Sequence, residues 1–175
     1  MKISLDKIIR RETDNLHLNF CEKIDSINYC DDTYKLASPI NLNGKISNAN
    51  KGLFLDCNVD FKIIDNCARC LNEVEVELSY PIQGFLVKKE VDENEVEEFD
   101  VYTYKDDEVD FIDLIEQTLD FNLPQRVLCS EDCKGLCSTC GANLNDGVCS
   151  CNEVANDEDT IDPRFAKLKE MFKND

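Results

Sequence analysis

Basic residues are scarce in this chain. Its 175 residues include 19 Lys and Arg against 37 Asp and Glu, a formal net charge of -18 at pH 7. Gripping a phosphate backbone requires Lys and Arg to displace condensed counterions, so this balance disfavours direct nucleic-acid binding. It favours a basic partner, or simple solubility. Long apolar runs are missing too. No stretch approaches the ~18 residues of a membrane span, and Met1–Asp14 has no apolar core of signal-peptide length. A cytoplasmic location is expected, with no membrane partner. Histidine occurs once, as His17, and a lone His is more often a surface or core-edge residue than a catalyst. There is no Ser/His/Asp set and no glycine-rich phosphate loop. No pair of carboxylates stands out from the acid background. Hydrolase and kinase chemistry therefore lack residues to carry them, and no small-molecule substrate is expected.

What the chain has in excess is cysteine, at 11 residues. Disulfides are rare in the cytoplasm, and an odd count argues against a closed disulfide framework. Metal or redox chemistry is left. Eight of the cysteines fall in four close pairs: Cys67/Cys70, Cys129/Cys133, Cys137/Cys140 and Cys149/Cys151. Cys21, Cys30 and Cys57 stand alone and read as small apolar residues. The densest stretch is Cys137-x2-Cys140-x8-Cys149-x-Cys151, with Gly135, Gly141 and Gly147 at the bends and a turn signal at Asn145-Asp146-Gly147. Two thiolate pairs joined by a short loop suit one tetrahedral Zn²⁺; an iron–sulfur cluster is the alternative. Cys67, Cys70, Cys129 and Cys133 then suit a second four-thiolate site tying a hairpin tip to the root of the cluster. Cys67 and Cys70 also read as a free or redox-active dithiol. The usual setting for that chemistry is a strand–helix junction, whereas the flanks here read as two strands.

Those flanks give the clearest local pattern. Leu53, Leu55, Cys57, Val59, Phe61 and Ile63 alternate with mostly polar residues. Val74, Val76, Leu78 and Tyr80 alternate with Glu73, Glu75, Glu77 and Ser79. Period 2 places each apolar set on one sheet face and the Glu side chains in water. Asp65–Cys70 becomes the tip of an antiparallel hairpin. Pro81 is expected to demote the next stretch, through Phe85, Leu86 and Val87, to an edge or bend. Leu16, Leu18 and Phe20 suggest another strand. Ile3, Leu5, Ile8 and Ile9 suit a short strand and a helical turn.

Residues 90–113 hold twelve Asp or Glu against Lys105 alone. Self-repulsion makes them a solvated loop or a docking surface for a basic protein, with a short strand at Val101, Tyr102 and Tyr104. Residues 110–122 read as a helix capped by Asp110, with Phe111, Leu114, Ile115, Thr118 and Leu119 on one face. Pro124 bounds it. A last helix begins at Asp162-Pro163 and carries Phe165, Leu168 and Phe172, packed on its own domain or offered to a partner. The expected fold is α+β: an antiparallel sheet with packed helices over residues 1–124, acidic loop 90–110, then a zinc lobe with a C-terminal helix over residues 125–175.

Beyond these patterns, Cys67-Ala68-Arg69-Cys70-Leu71 resembles the CxRCL motif of the YceD family. Cys133–Asn145 resembles its CKGLCxxCGxNLN signature, followed by Cys149-Ser150-Cys151. Asp162-Pro163-Arg164 and the acidic run into Asp113-Leu114 resemble it as well, so the likeness extends from about residue 40 onward. The resemblance implies a non-enzymatic bacterial cytoplasmic protein needed for 23S rRNA accumulation, encoded beside a small basic large-subunit ribosomal protein. Family members lacking the full cysteine set imply that the metal is structural. The partner expected is a basic ribosomal protein or pre-ribosomal particle. Direct contact of the zinc lobe with rRNA is a rival reading, although its few cations and lack of aromatics between Phe121 and Phe165 count against it. A thiol oxidoreductase using Cys67 and Cys70 is the third.

Overall fold

The alternation at Leu53–Ile63 becomes the central strand of a seven-stranded sheet. The computed structural model describes residues 1–29, 32–49, 52–88 and 100–153. Its elements in chain order are β1 (Lys2–Ser4), α1 (Asp6–Ile9), β2 (Asn15–Glu22), β3 (Ser26–Tyr29), β4 (Asp32–Leu36), β5 (Ile40–Ala49), β6 (Gly52–Asn66), β7 (Glu73–Lys88), β8 (Asp100–Tyr104), β9 (Glu108–Asp110) and α2 (Phe111–Leu119). A 3-10 turn covers Ser150–Glu153. The chain divides into two compact units, Met1–Cys129 and Ser130–Asp175.

In the first unit, β7 runs antiparallel to β6 from Leu53↔Leu86 to Asn66↔Glu73. The opposite edge of β6 is shared by β5, from Ala49↔Gly52 to Asn41↔Asp60, and by β4, at Leu36↔Ile63 and Lys35↔Ile64. β2 extends the sheet beyond β5, and β3 beyond β4. β1 and β9 form a separate antiparallel pair.

The register follows from burial. Leu55, Val59 and Ile63 are wholly buried, and Leu53, Cys57 and Phe61 nearly so. Leu78, Tyr80, Ile82 and Leu86 extend this face on β7, while Glu73, Glu75 and Glu77 are exposed. Gly44 pairs with Cys57, and a Cβ at that position would run into the backbone and side chain of Cys57. α2 covers the sheet with Phe111, Leu114, Ile115 and Leu119, all in the core cluster with β6. Burying side chains of this size stabilises the fold by about 1.5–3 kcal/mol each. Asp110 caps the helix as expected, its Oδ1 accepting from the Ile112 N–H at 3.1 Å. The helix stops at Leu119 rather than 122. The Asn122 and Leu123 N–H groups both turn back to the Leu119 carbonyl, and Asn122 Nδ2 donates to the Thr118 carbonyl at 2.7 Å.

Three expectations change. The fold is richer in β structure than the anticipated α+β arrangement with packed helices: among the described residues only α2 exceeds a single turn. Within the acidic loop 90–110 the expected short strand at Val101, Tyr102 and Tyr104 is present as β8, and β9 is a second one that was not expected. Tyr102 and Val109 bury their side chains in β8 and β9, and that apolar gain holds the acid-flanked segments in the fold. Its residues 90–99, and the helix starting at Asp162, lie outside the described residues. Finally, β7 continues straight through Pro81, which pairs with Asn58. β8 joins β7 only from Gly84 onward, and in parallel. A proline whose nitrogen faces that side gives up no ladder bond. No described helix is long and apolar enough to cross a membrane.

Candidate metal centres

The β6–β7 hairpin closes with Cys67–Asn72, a tight knuckle held by its own backbone. The Cys67 N–H donates to the Asn72 carbonyl at 2.8 Å, and the Leu71 N–H donates to the Cys67 carbonyl at 2.9 Å. The Ala68 N–H donates to the Val127 carbonyl at 2.9 Å, bringing the segment after α2 against the knuckle. That segment delivers Cys129. The sulfurs of Cys67, Cys70 and Cys129 lie within 4.8 Å of one another, with Cys70 Sγ and Cys129 Sγ 3.5 Å apart. Cys67 and Cys70 are buried; Cys129 is exposed. Desolvation raises the Cys67 thiol, but N–H groups of Arg69, Cys129 and Cys70 outweigh it and bring the thiol down to about 6. Donors aimed at a sulfur favour its thiolate, the form that binds metal.

The second unit contains a similar knuckle. The Cys137 N–H donates to the Ala142 carbonyl at 2.8 Å, and the Gly141 N–H donates to the Cys137 carbonyl at 2.9 Å. A single bridge, Leu136↔Asn143, and the Leu144 N–H to Gly135 carbonyl bond close the loop. Cys149 and Cys151 return from the far side, and all four sulfurs, of Cys137, Cys140, Cys149 and Cys151, lie within 4.8 Å of one another. Zn–S bonds of about 2.3 Å in a tetrahedron set sulfurs about 3.8 Å apart, a separation inside the limit within which the four sulfurs of this group lie. Its proton balance points the same way. N–H groups of Cys140 and Thr139 draw Cys137 down to about 6, whereas the neighbouring sulfurs Cys137 and Cys140 push Cys149 and Cys151 up, Cys151 to about 12. Four thiolates packed together repel unless a cation lies among them.

Seven of the eight paired cysteines thus gather at two backbone knuckles and their return segments, and each of these groups could hold a metal ion. Cys133 lies in the second unit, buried, its N–H on the Ser130 carbonyl. Its sulfur accepts from Asn145 Nδ2 at 3.4 Å. Asn145 is the residue whose role sequence reasoning missed, having been read as part of a turn and as the end of the family signature, with no contact to a sulfur. Its Nδ2 also donates to Asn143 Oδ1, and its Oδ1 accepts from the Lys134 N–H at 2.8 Å, so one amide side chain fixes the orientation of Cys133. Of the isolated cysteines, Cys57 is buried, as expected of a small apolar side chain, and Cys21 is exposed. Cys30 lies outside the described residues. His17 is exposed on β2.

A family model described as large ribosomal RNA subunit accumulation protein YceD matches residues 55–172. That span contains both knuckles and all eight paired cysteines. Curated relatives include uncharacterized proteins of Mycobacterium tuberculosis and Mycobacterium bovis, each 28% identical over 134 residues. These matches cover 76% of this chain and 62% of each relative. An uncharacterized protein of Mycobacterium leprae is 28% identical over 139 residues, covering 79% of this chain and 61% of the relative. The chain therefore spans less than two thirds of the length of these relatives. No solved structure matches.

Proposed function

The chain belongs to the YceD family of large ribosomal RNA subunit accumulation proteins, and from that premise we propose that it acts in the cytoplasm as a non-enzymatic ribosome-assembly factor. It promotes accumulation of 23S rRNA by meeting a basic ribosomal protein or a precursor particle through its acid surface. The observation that carries this reading is the family match across residues 55–172; the charge of -18 supplies the mode of contact. Opposite charges speed encounter and orient it, and salt weakens them.

The paired cysteines hold metal for structure. Cys137, Cys140, Cys149 and Cys151 bind one Zn²⁺. Cys67, Cys70 and Cys129 bind a second, with Cys133 as the fourth ligand, four residues further along the chain. Bound zinc would supply folding free energy to a segment with little core of its own, and thiolates committed to it are withdrawn from redox turnover. The chain then comprises a sheet domain over residues 1–124 and a zinc lobe over residues 125–175.

A pull-down with the full chain at physiological salt tests the contact. Recovery of a basic large-subunit ribosomal protein or a precursor particle is expected, decreasing as salt rises. Recovery of neither would overturn it. A gel shift with protein-free 23S rRNA fragments, and its salt slope, separates this contact from direct RNA binding.

A further inference from the structure

Two observations meet at the outer edge of the hairpin. The first is an open strand. β7 gives one edge to β6 from Glu73 to Leu86, yet β8 takes the other only from Gly84 to Lys88. Among the described residues, Glu73–Gln83 have no strand on that side. Pro81 identifies which groups face it. The β6–β7 ladder passes through Asn58↔Pro81 unbroken, and proline has no N–H to contribute, so its nitrogen faces away from β6. Bonding direction alternates along an antiparallel strand. Glu73, Glu75, Glu77 and Ser79 therefore turn their N–H and C=O groups to the open side, and the three Glu side chains are exposed.

The second observation is Leu71, two residues before that strand begins. It has φ 62 and is 64% exposed. A bulky side chain in this backbone region is strained. Its counterpart Gly141, at φ 74, meets the same requirement without a side chain. Nothing buried around Leu71 offsets the strain, because the side chain lies largely in water.

We infer that the open edge of β7, with Leu71 at its end, receives an extended basic segment of a partner protein by strand addition. This rests on the reading that the partner is basic, and gives that partner a conformation and a register. Main-chain bonds to Glu73–Ser79 supply affinity. Lys or Arg side chains at alternate positions meet Glu73, Glu75 and Glu77, and an apolar residue covers Leu71. The same three carboxylates repel a second copy of this acid chain, and Pro81 closes the edge beyond Ser79.

The test titrates the full, metal-loaded chain with a synthetic peptide of alternating lysine and valine, followed by fluorescence anisotropy. The same peptide N-methylated at every amide keeps its charge and loses its donors. The lysine–valine peptide should bind about tenfold more tightly than the methylated form, the scale of one or two hydrogen bonds, and should slow amide exchange at Glu73, Glu75 and Glu77. Leu71→Gly should weaken it several-fold with the circular dichroism spectrum unchanged. Equal binding of the methylated peptide, or exchange unaltered along Glu73–Ser79, would overturn strand addition in favour of diffuse charge attraction. Affinity unchanged by Leu71→Gly would remove Leu71 as the anchor. The peptide contains no ribosomal component, so its failure would leave the proposed rRNA role standing.

Discussion

Cys67–Leu71 and Cys137–Gly141 are one turn built twice. In each, the first cysteine donates its N–H to the carbonyl five residues on, at 2.8 Å. In each, the residue after the second cysteine donates back to the first at 2.9 Å. What differs is the support. The first knuckle caps two long strands whose inner face is buried core. The second stands on one bridge, Leu136↔Asn143. Every described member of the core cluster lies in Met1–Cys129, and among the described residues beyond Cys129 the buried apolar side chains are Cys133 and Cys137. The sheet can position its sulfurs before any ion arrives. Among the described residues of the second unit the cysteines are nearly all there is to bury, so a bound ion would supply most of what holds residues 134–151 together.

Removing metal should break this comparison most visibly. A strong chelator should abolish amide-exchange protection across residues 134–151 while β5, β6 and β7 keep theirs. Binding free energies of structural zinc, about 10–16 kcal/mol in isolated finger peptides, exceed anything this loop can gain from packing. Metal analysis refines the result. The double substitution Cys67→Ser, Cys70→Ser should lose one ion and leave residues 134–151 protected. Cys137→Ser with Cys140→Ser should lose one ion and release them. A total of one ion per chain, unchanged by the first pair, would remove the hairpin-tip site. Protection of residues 134–151 in chelator would remove the contrast itself.

Alkaline pH should act on the opposite region, with a smaller effect. Burial pushes Tyr80 up to about 12 from 10.0, and Cys57, with help from the Asp56 carboxylate, up to about 12 from 9.0. Both groups stay neutral in the fold at a pH where the unfolded chain has already ionised. Their contribution is therefore complete below pH 9 and is lost as pH rises toward 12. For Tyr80 the loss amounts to roughly 2–3 kcal/mol. Denaturant midpoints of the sheet should fall through this window, and Tyr80→Phe should reduce the fall. Metal-bound thiolates have no proton left to lose, so protection at residues 134–151 should persist while the sheet weakens.

The parts legible in the sequence were those written in local spacing. Alternation at Leu53–Ile63 and Val74–Tyr80 marked the hairpin because a sheet face repeats every two residues. Asp110 marked the start of α2 because a cap is a property of three or four adjacent residues. The cysteine pairs marked the knuckles. Features set by distant groups were not legible. Asn145 reads as a turn residue until the fold places its amide on the sulfur of Cys133. Pro81 reads as a break until β8 is seen to meet β7 beyond it. The acid run hid β9, because charge count outweighed Val109, which buries there, whereas Val101, Tyr102 and Tyr104 marked β8. Leu71 gave no sign at all: nothing in Cys-Leu announces positive φ, whereas Cys-Gly at Cys140-Gly141 does.

That last pair supplies the finest test, an exchange of the two residues that differ. Leu71→Gly removes a left-handed penalty of about 1–2 kcal/mol and adds about 0.4–1 kcal/mol of unfolded-chain entropy. The net should be a gain of about 0.5–1 kcal/mol in denaturant unfolding of the sheet unit. Gly141→Leu introduces the penalty without a clash, since a Cβ there meets nothing within 4 Å. Less the unfolded-chain entropy that leucine removes, it should cost about 0.5–1 kcal/mol, read as weaker retention of metal in a chelator titration if an ion stabilises that loop. Opposite signs would establish that both knuckles demand the same backbone and that only one tolerates strain for an exposed leucine. Loss of stability in both would mean that Leu71 is held by packing, and the strain at the hairpin tip would no longer call for a partner.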